Sequence, residues 1–356
     1  MKNQKLASIQ LLRGFSALLV MLFHFRWNIN LAYPHKGDLL FGWGAIGVDI
    51  FFIISGFVIT LTVKSMSSGV SSSMSFLRKR IARILPTYFI ILFITFLVSG
   101  AMSTFHYHDK TQNLISALLF MPIDKYHAPF YVDDSGMYGI RWTLNYEVLF
   151  YLTISICLLT KHRWLLLSGI LSLSLLIIPY FSGLSPSLSI KGYQFNSAYL
   201  NFITNPIIWT FYLGVIIGII YPYAERWNKK LRVILLSIGV VLSTYCICYT
   251  PLVNHGITMS GWYLSVLFIG IILNEDTIKA YTPKLFITLG DISFSLYLIH
   301  TLMNGGIGDK FIKIGINDGT PRFIASCITS ILLAYLSHRF IERVKKTPHH
   351  NKESLS

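Results

Sequence analysis

Charge is what this sequence lacks most. Asp, Glu, Lys and Arg together make up 13% of its 356 residues, whereas a soluble domain carries about 25%. Hydrophobic residues, in contrast, reach 53%. A chain with so few charged side chains cannot cover a folded surface in water, so it needs lipid as part of its solvent. The composition therefore argues against a soluble globular enzyme.

Cysteines and polar linkers are also scarce. The four cysteines all stand inside apolar runs, whereas disulfide frameworks and zinc sites place theirs in ordered polar loops. We therefore expect neither a disulfide framework nor a metal site. Long Pro/Ser-rich linkers and internal repeats are missing too. This predicts a single membrane domain over residues 1–345, followed by a short polar tail at 346–356.

Long apolar runs, in contrast, are abundant in this sequence. A spanning helix needs about 20 mostly apolar residues, and this length predicts about ten transmembrane helices in an all-α polytopic protein. The first run contains Arg13 and His24 and has no small-residue cleavage site, so we interpret it as a retained helix rather than a signal peptide. The ten predicted spans are 8–30, 44–63, 84–101, 141–160, 164–181, 201–221, 233–251, 259–274, 285–303 and 321–341.

The net charge of +15 comes from short basic clusters between these runs. Cytoplasmic loops of membrane proteins carry an excess of Lys and Arg, and every second loop here is basic. The pattern predicts both termini in the cytoplasm. It also argues against nucleic acid as a partner, because the basic residues form no single patch. We expect the Ser65–Ser75 stretch to be a cytoplasmic loop and the short run Leu114–Met121 to stay in an outer loop.

Two polar side chains share one face of the first run. Arg13 and His24 lie eleven positions apart, which is about three helical turns and about 16 Å. Ionisable residues within a span are functional hypotheses by default. Separately, Arg13 could snorkel to the headgroups and His24 could be a hydrogen-bonded packing residue. Together on one face they favour a polar cavity.

Carboxylates occur near the start of two further runs. Asp49 could orient His24 and raise its basicity, as carboxylates do in acid–base pairs. The alternative is a helix-start residue near the membrane interface. Glu147 lies one or two turns inside an apolar span and needs a partner, which the sequence does not identify.

Arg80 and Arg83 are three residues apart and therefore share a helix face. Two guanidinium groups on one face bind phosphates well. A plain cluster of the positive-inside kind would explain the charge but not the spacing.

These features resemble the bacterial acyltransferase-3 family, integral membrane O-acyltransferases that modify envelope polysaccharides, typically by O-acetylation. The order of the matching segments is that of the family, and together they span almost the whole chain. The chain differs from the family pattern at Val344, two residues after the last of these segments, where a proline is common. The segments are Leu12–Gly14 with His24, 47–57 (GVDIFFIISGF), 80–86 (RIARILP), 142–147 (WTLNYE), 292–300 (ISFSLYLIH) and 338–342 (HRFIE).

The resemblance implies a multi-pass protein of the bacterial cytoplasmic (inner) membrane, of the form that lacks an SGNH-type esterase domain. It implies an acyl-CoA co-substrate, usually acetyl-CoA, rather than a permanently bound cofactor. The implied acceptor is a sugar hydroxyl of a lipid-linked or surface glycan such as O-antigen, capsule or exopolysaccharide. Besides these substrates, the expected partners are membrane lipids. The oligomeric state stays open, a homodimer included.

The same resemblance places the family's essential Arg and His at Arg13 and His24 and its RxxR pair at Arg80 and Arg83. The expected mechanism has His24 take the proton of the acceptor hydroxyl, with Asp49 or Glu147 fixing its tautomer, while the arginines hold the phosphates of coenzyme A. A covalent acyl-His24 intermediate is a lower-ranked alternative.

Two other classes of protein remain. A transporter or flippase for a glycan precursor or acyl donor would also carry intramembrane charges, but it usually shows two related halves. A receptor or assembly partner without activity would not need to keep His24 and the paired arginines.

Overall fold

The computed structural model describes residues 6–99, 101–133, 139–305 and 307–342. Across these ranges the chain is helical, and no β-strand occurs in them. The predicted polar tail at 346–356 lies outside the described residues. The α-helices are, in chain order, α1 (Ala7–Ala32), α2 (Lys36–Phe41), α3 (Gly47–Lys64), α4 (Val70–Ser99), α5 (Ala101–Thr104), α6 (His108–Leu119), α7 (Arg141–Cys157), α8 (Arg163–Ser172), α9 (Ile178–Phe181), α10 (Ala198–Ile203), α11 (Ile208–Ala224), α12 (Lys229–Tyr249), α13 (Trp262–Leu273), α14 (Glu275–Tyr281), α15 (Lys284–Ile299), α16 (Gly308–Lys313) and α17 (Thr320–Ser337).

Short segments of other helical types join several of these helices. A 3₁₀ segment leads into α3 and another follows α15, while π segments join α8 to α9, precede α13 and follow α17. Short 3₁₀ turns are common at helix ends, whereas π segments are frequent at functional sites. The 3₁₀ segments are Gly42–Ile46 and His300–Met303, and the π segments are Leu173–Ile177, Ile257–Gly261 and His338–Glu342.

The all-α polytopic prediction is confirmed. Within the described residues, eight helical stretches are long and apolar enough to cross a membrane, and a ninth results if α13 and α14, bent by 79°, are counted as one. These nine coincide with nine of the ten predicted spans. The tenth corresponds to α7, which has 17 residues and is therefore about 25 Å long, somewhat short of the hydrocarbon thickness.

The third span differs most from its prediction. It was expected to begin at residue 84 after a loop at Ser65–Ser75, but α4 already begins at Val70 and runs for 30 residues. The apolar pattern marks only the part of a helix that faces lipid, whereas the first turns of α4 are polar and extend beyond it. As a result, Arg80 and Arg83 stand on one continuous helix with the apolar span, which agrees with the helix face predicted for them. The run Leu114–Met121 largely belongs to α6, which at 12 residues is too short to cross.

Helix α1 is the central element of the bundle. It packs most extensively on α15 and also contacts α2, α3 and α17. The two backbones of α1 and α15 approach closely at Gly14 and Gly290. A Cβ atom at residue 290 would lie 2.2 Å from the carbonyl oxygen of Gln10. Small residues allow such close contact between membrane helices. This crossing sets the polar residues of α1 directly beside those of α15.

Hydrogen bonds between helix ends define one end of the bundle. The carboxylate of Glu275 accepts from the backbone N–H of Ala7 at 2.6 Å and so caps the start of α1. Arg163, the first residue of α8, donates to the carbonyl of Val63 near the end of α3 at 2.6 Å. Most basic clusters of the sequence flank these helix ends, so we name this the basic end. The segment 250–256 between α12 and α13 lies at the opposite end, because α12 starts at the basic end.

Candidate active site

A cavity of about 920 Å³ lies between α1, α3, α4, α7 and α15. It extends along α3 from Ser65, near the basic end, to Val48, a distance of about 25 Å at helical rise. A cavity of this size and length suits an elongated ligand. The charged side chains that line it are Arg13, Lys79, Arg80, Arg83, Glu147, Asp291 and Glu342.

The structure brings the three predicted arginines together in this cavity. Arg80 donates to the hydroxyl of Thr62 at 2.7 Å, and its guanidinium lies over the rings of Phe76 and Tyr151, with 5.4 and 5.9 Å to their centroids. The side chain of Arg83 is exposed. Both arginines thus present donors toward the part of the cavity near the basic end, where a phosphate group could reach them.

Arg13 lies deeper, within electrostatic reach of Glu147, Glu342 and Arg83. No carboxylate of the described residues lies within 4 Å of its guanidinium. A half-buried guanidinium without a direct ion pair keeps its N–H groups available for an anionic ligand.

Glu147, whose partner the sequence did not identify, is bound within its own helix. The hydroxyl of Tyr151, one turn later on α7, donates a short hydrogen bond to its carboxylate, and Ser55 of α3 donates at 3.4 Å. The spacing of four residues between Glu147 and Tyr151 is the signal that could have indicated this pair. On the cavity's other side, Glu342 accepts from Ser295 at 2.5 Å and pairs with His338 at 3.1 Å.

His24 does not line the cavity. Its Nδ1 lies 2.8 Å from the carbonyl oxygen of Val20, and its ring lies edge-on to that of His300 with 4.8 Å between centroids. A carbonyl can only accept, so Nδ1 carries the proton and Nε2 of the neutral ring holds the free lone pair. His24 therefore has the tautomer of a base. The expected contact with Asp49 or Glu147 is absent, because one carboxylate bonds a different histidine and the other lies in the cavity.

Asp49 pairs with His255, which the sequence analysis did not single out. Asp49 is fully buried in the first turn of α3; its Oδ2 lies 2.8 Å from Nδ1 of His255, and its Oδ1 accepts from the backbone N–H of Gly256 at 2.8 Å. His255 in turn lies within electrostatic reach of His24. Nothing in the local sequence of the loop marks this histidine, since the contact joins positions about 200 residues apart.

The three histidines His24, His255 and His300 form what we call the imidazole cluster. His300 is fully buried and its Nδ1 lies 3.2 Å from the carbonyl of Leu296, one turn back, as in His24. All three rings are thus anchored through Nδ1, two by a backbone carbonyl and one by a carboxylate.

One layer of side chains separates the cavity from the imidazole cluster. Tyr297 lines the cavity on one side, and on the other its ring centroid lies 5.8 Å from that of His300. Its hydroxyl bonds that of Thr143 at 2.7 Å and the carbonyl of Ile140 at 3.1 Å. Phe52, also in the cavity lining, packs against Trp142, whose ring centroid is 5.6 Å from that of His255. We call Phe52, Trp142, Thr143 and Tyr297 the wall. The continuous polar path expected from Arg13 to His24 is interrupted by this wall.

Comparison with known proteins adds independent information. Exopolysaccharide production protein ExoZ of Rhizobium meliloti (strain 1021) is 28% identical over 84% of this chain and 89% of its own length. Nodulation protein 10 of Rhizobium leguminosarum bv. viciae is 26% identical over 94% of this chain and 92% of its own. A candidate O-acetyltransferase of Staphylococcus aureus (strain COL) is 27% identical over 84% of this chain, which covers 52% of that longer protein. No solved structure matches the chain.

A family model described as an acyltransferase domain, Acyl_transf_3, matches residues 6–339. The match includes all the helices that form the cavity and the imidazole cluster. It favours a transferase over the transporter and the inactive receptor considered from the sequence. The chain belongs to the acyltransferase-3 family and is a multi-pass membrane O-acyltransferase.

Proposed function

We propose that the protein transfers an acyl group, in the simplest case acetyl, from acyl-CoA to a hydroxyl group of an envelope glycan. The basic end would face the cytoplasm, where acyl-CoA is made, and the imidazole cluster would lie toward the outer side of the bacterial cytoplasmic membrane. The similarity to an exopolysaccharide production protein and to a candidate O-acetyltransferase supports the glycan and the acetyl group.

One observation carries this proposal. Three arginines line a cavity whose lining residue Tyr297 contacts His300, and His300 in turn contacts His24, whose Nε2 lone pair is free. Guanidinium groups bind phosphates in fork geometry, so Arg80 and Arg83 near the basic end suit the phosphates of coenzyme A. The length of the cavity then lets an extended thioester arm reach the wall.

The reaction needs one base and no redox partner. The acceptor oxygen attacks the thioester carbonyl while its proton passes to Nε2 of His24. The new ester C–O bond forms, the C–S bond breaks, and the coenzyme A thiolate leaves and takes up a proton. A positioned base of this kind contributes about 10²–10⁴ in rate. The wall must open in each cycle, because it separates the thioester from His24 in the present structure.

The proposal can be tested in membrane vesicles that contain the protein. Radiolabelled acetyl-CoA is supplied together with unmodified glycan extracted from cells that lack the gene, and label in the glycan is counted. We expect transfer by the natural protein and by Arg226→Ala, an exposed basic residue between α11 and α12, and strongly reduced transfer by His24→Ala and Arg80→Ala. Full glycan acylation by either of the last two, at equal protein level, would contradict the assigned role.

A further inference from the structure

The pairing of Asp49 with His255 has no part in the mechanism above. We propose that His255 binds the acceptor: its Nε2, held in place through Asp49, accepts a hydrogen bond from a hydroxyl group of the glycan beside His24. This inference rests on the proposed function for the identity of the acceptor.

The first support is that both carboxylate oxygens of Asp49 are hydrogen-bonded. Its side chain has no exposure, yet each of its oxygens has a donor at 2.8 Å, one from His255 and one from Gly256. Burying an ionised carboxylate is costly unless it is paired, and within membrane proteins such residues are usually functional. Apolar packing or neutral hydrogen bonds could hold this loop against α3 without a buried charge. The buried carboxylate therefore suggests a functional role for the imidazole of His255.

The backbone of the loop is also fixed. Gly256 has a φ of +102°, a conformation that favours glycine, and a Cβ atom at this position would lie 2.5 Å from Cγ2 of Ile190. The residue that follows His255 is thus specialised for the turn that brings both donors onto Asp49. The position of the His255 ring is therefore set from two sides.

The bond to Asp49 determines the role of the other ring nitrogen of His255, Nε2. Asp49, as a carboxylate, only accepts, so Nδ1 of His255 donates, and in the neutral ring Nε2 carries the lone pair. The negative charge of Asp49 beside Nδ1 makes Nε2 of His255 a strong hydrogen-bond acceptor. It is a stronger acceptor than Nε2 of His24, because Nδ1 of His24 bonds only a carbonyl. Nε2 of His255 makes no hydrogen bond with any described residue, and 13% of the side chain is exposed.

The location fits the acceptor and not the donor. His255 lies at the end of the bundle opposite the arginines, and the wall residue Trp142 separates it from the cavity. It is also within electrostatic reach of His24. A glycan hydroxyl bound to Nε2 of His255 would place a neighbouring hydroxyl of the same sugar near the proposed base.

Two substitutions separate binding from mere fastening of the loop. In His255→Asn the amide nitrogen takes the place of Nδ1 and preserves the bond to Asp49, but nothing replaces Nε2. In Asp49→Asn the amide oxygen can still accept from Gly256, while its NH₂ group faces Nδ1 of His255. The ring must then carry its proton on Nε2, which turns an acceptor into a donor. His162→Asn, an exposed histidine at the basic end, is the matched control.

The measurements use the glycan extracted from cells that lack the gene, with acetyl-CoA as donor. We expect Asp49→Asn to raise KM for the glycan by less than about fivefold, because a sugar hydroxyl can also accept from Nε2–H. His255→Asn should raise it about five- to tenfold, the effect of one lost hydrogen bond, and KM for acetyl-CoA should be unchanged in both variants. Equilibrium binding of the same glycan without acetyl-CoA should weaken by the same factor in each variant. In ¹⁵N spectra of the imidazoles, Asp49→Asn should move the proton of His255 from Nδ1 to Nε2.

Unchanged glycan KM and binding in both variants would overturn the proposal, and so would a fall in kcat at constant glycan KM, which would make His255 a base instead. Failure of the proposed function appears differently: the natural protein would bind the glycan without acylating it. Comparison of the variants by thermal midpoint shows that they are folded.

Discussion

The cavity and the imidazole cluster lie on two sides of one wall and are built on opposite principles. The cavity is long, carries four basic and three acidic side chains, and leaves Arg13 without a direct ion pair within 4 Å in the described residues. The imidazole cluster is compact, and each of its three rings is fixed through Nδ1. One region is arranged to receive a charged ligand, and the other is arranged to hold neutral bases in defined tautomers.

This difference suggests a division of labour. Affinity for the donor should depend on the cavity, whereas turnover and affinity for the acceptor should depend on the imidazole cluster. The wall keeps the two substrates apart until it opens, which would also limit loss of the acyl group to water. Kinetic constants measured separately for each substrate therefore test this division of labour.

The largest effect is expected for His24→Asn. The amide preserves the bond to the carbonyl of Val20 but lacks Nε2, so kcat should fall about 10²–10⁴-fold. KM for acetyl-CoA should stay the same, because the arginines lie on the other side of the wall. Steady-state kinetics in vesicles measure both constants. His35→Asn, an exposed histidine at a left-handed backbone position that asparagine also tolerates, serves as control. A normal kcat would remove His24 from the chemistry.

Next in size is the effect of Arg80→Lys. Lysine keeps the charge but loses the planar fork and the stacking over Phe76 and Tyr151. Loss of a charge-assisted hydrogen bond should raise KM for acetyl-CoA about 10- to 100-fold while kcat changes little. Arg226→Lys at the same end is the matched control. If kcat falls and KM does not, the cavity contributes to the chemical step and the division of labour is wrong.

The two regions also differ in how well the sequence predicts them. Arg13, Arg80 and Arg83 were predicted from spacing on single helices, and the structure places all three in one cavity. Helical periodicity is local information, so it predicts which side chains share a face. It cannot predict which helices are neighbours, so the contact of Glu147 with Ser55 of α3 could not be foreseen.

The imidazole cluster, in contrast, could not be predicted from the periodicity of single helices. Its contacts join α1 to the segment after α15, and α3 to the loop after α12. The sequence analysis offered Asp49 as a partner of His24 because carboxylates orient histidines in acid–base pairs, but the carboxylate binds His255 from a loop with no apolar pattern. Likewise, the polar first turns of α4 were predicted as loop. Tertiary contacts decide all of these, and periodicity carries no information about them.

A smaller effect is expected for His300→Phe. The phenyl ring can fill the space beside His24, but it loses the bond from Nδ1 to the carbonyl of Leu296 that fixes the ring against His24. We expect kcat to fall about tenfold, because the orientation of His24 loosens, with both KM values unchanged. Equal losses in kcat and in folded protein yield would instead indicate a packing role alone. Thermal midpoints measured beside the kinetics distinguish these outcomes.

The smallest effect is expected at the wall itself. Tyr297→Phe removes the hydroxyl that bonds Thr143 and the carbonyl of Ile140, while Thr143 can still donate to that carbonyl at 3.2 Å. The closed wall should lose about 1 kcal/mol, so its open form becomes up to about fivefold more populated. Turnover should therefore stay the same or rise within that factor, and hydrolysis of acetyl-CoA without acceptor should rise with it. A tenfold fall in turnover would show that the hydroxyl of Tyr297 acts on the substrates, and the cavity and the imidazole cluster would then form one site.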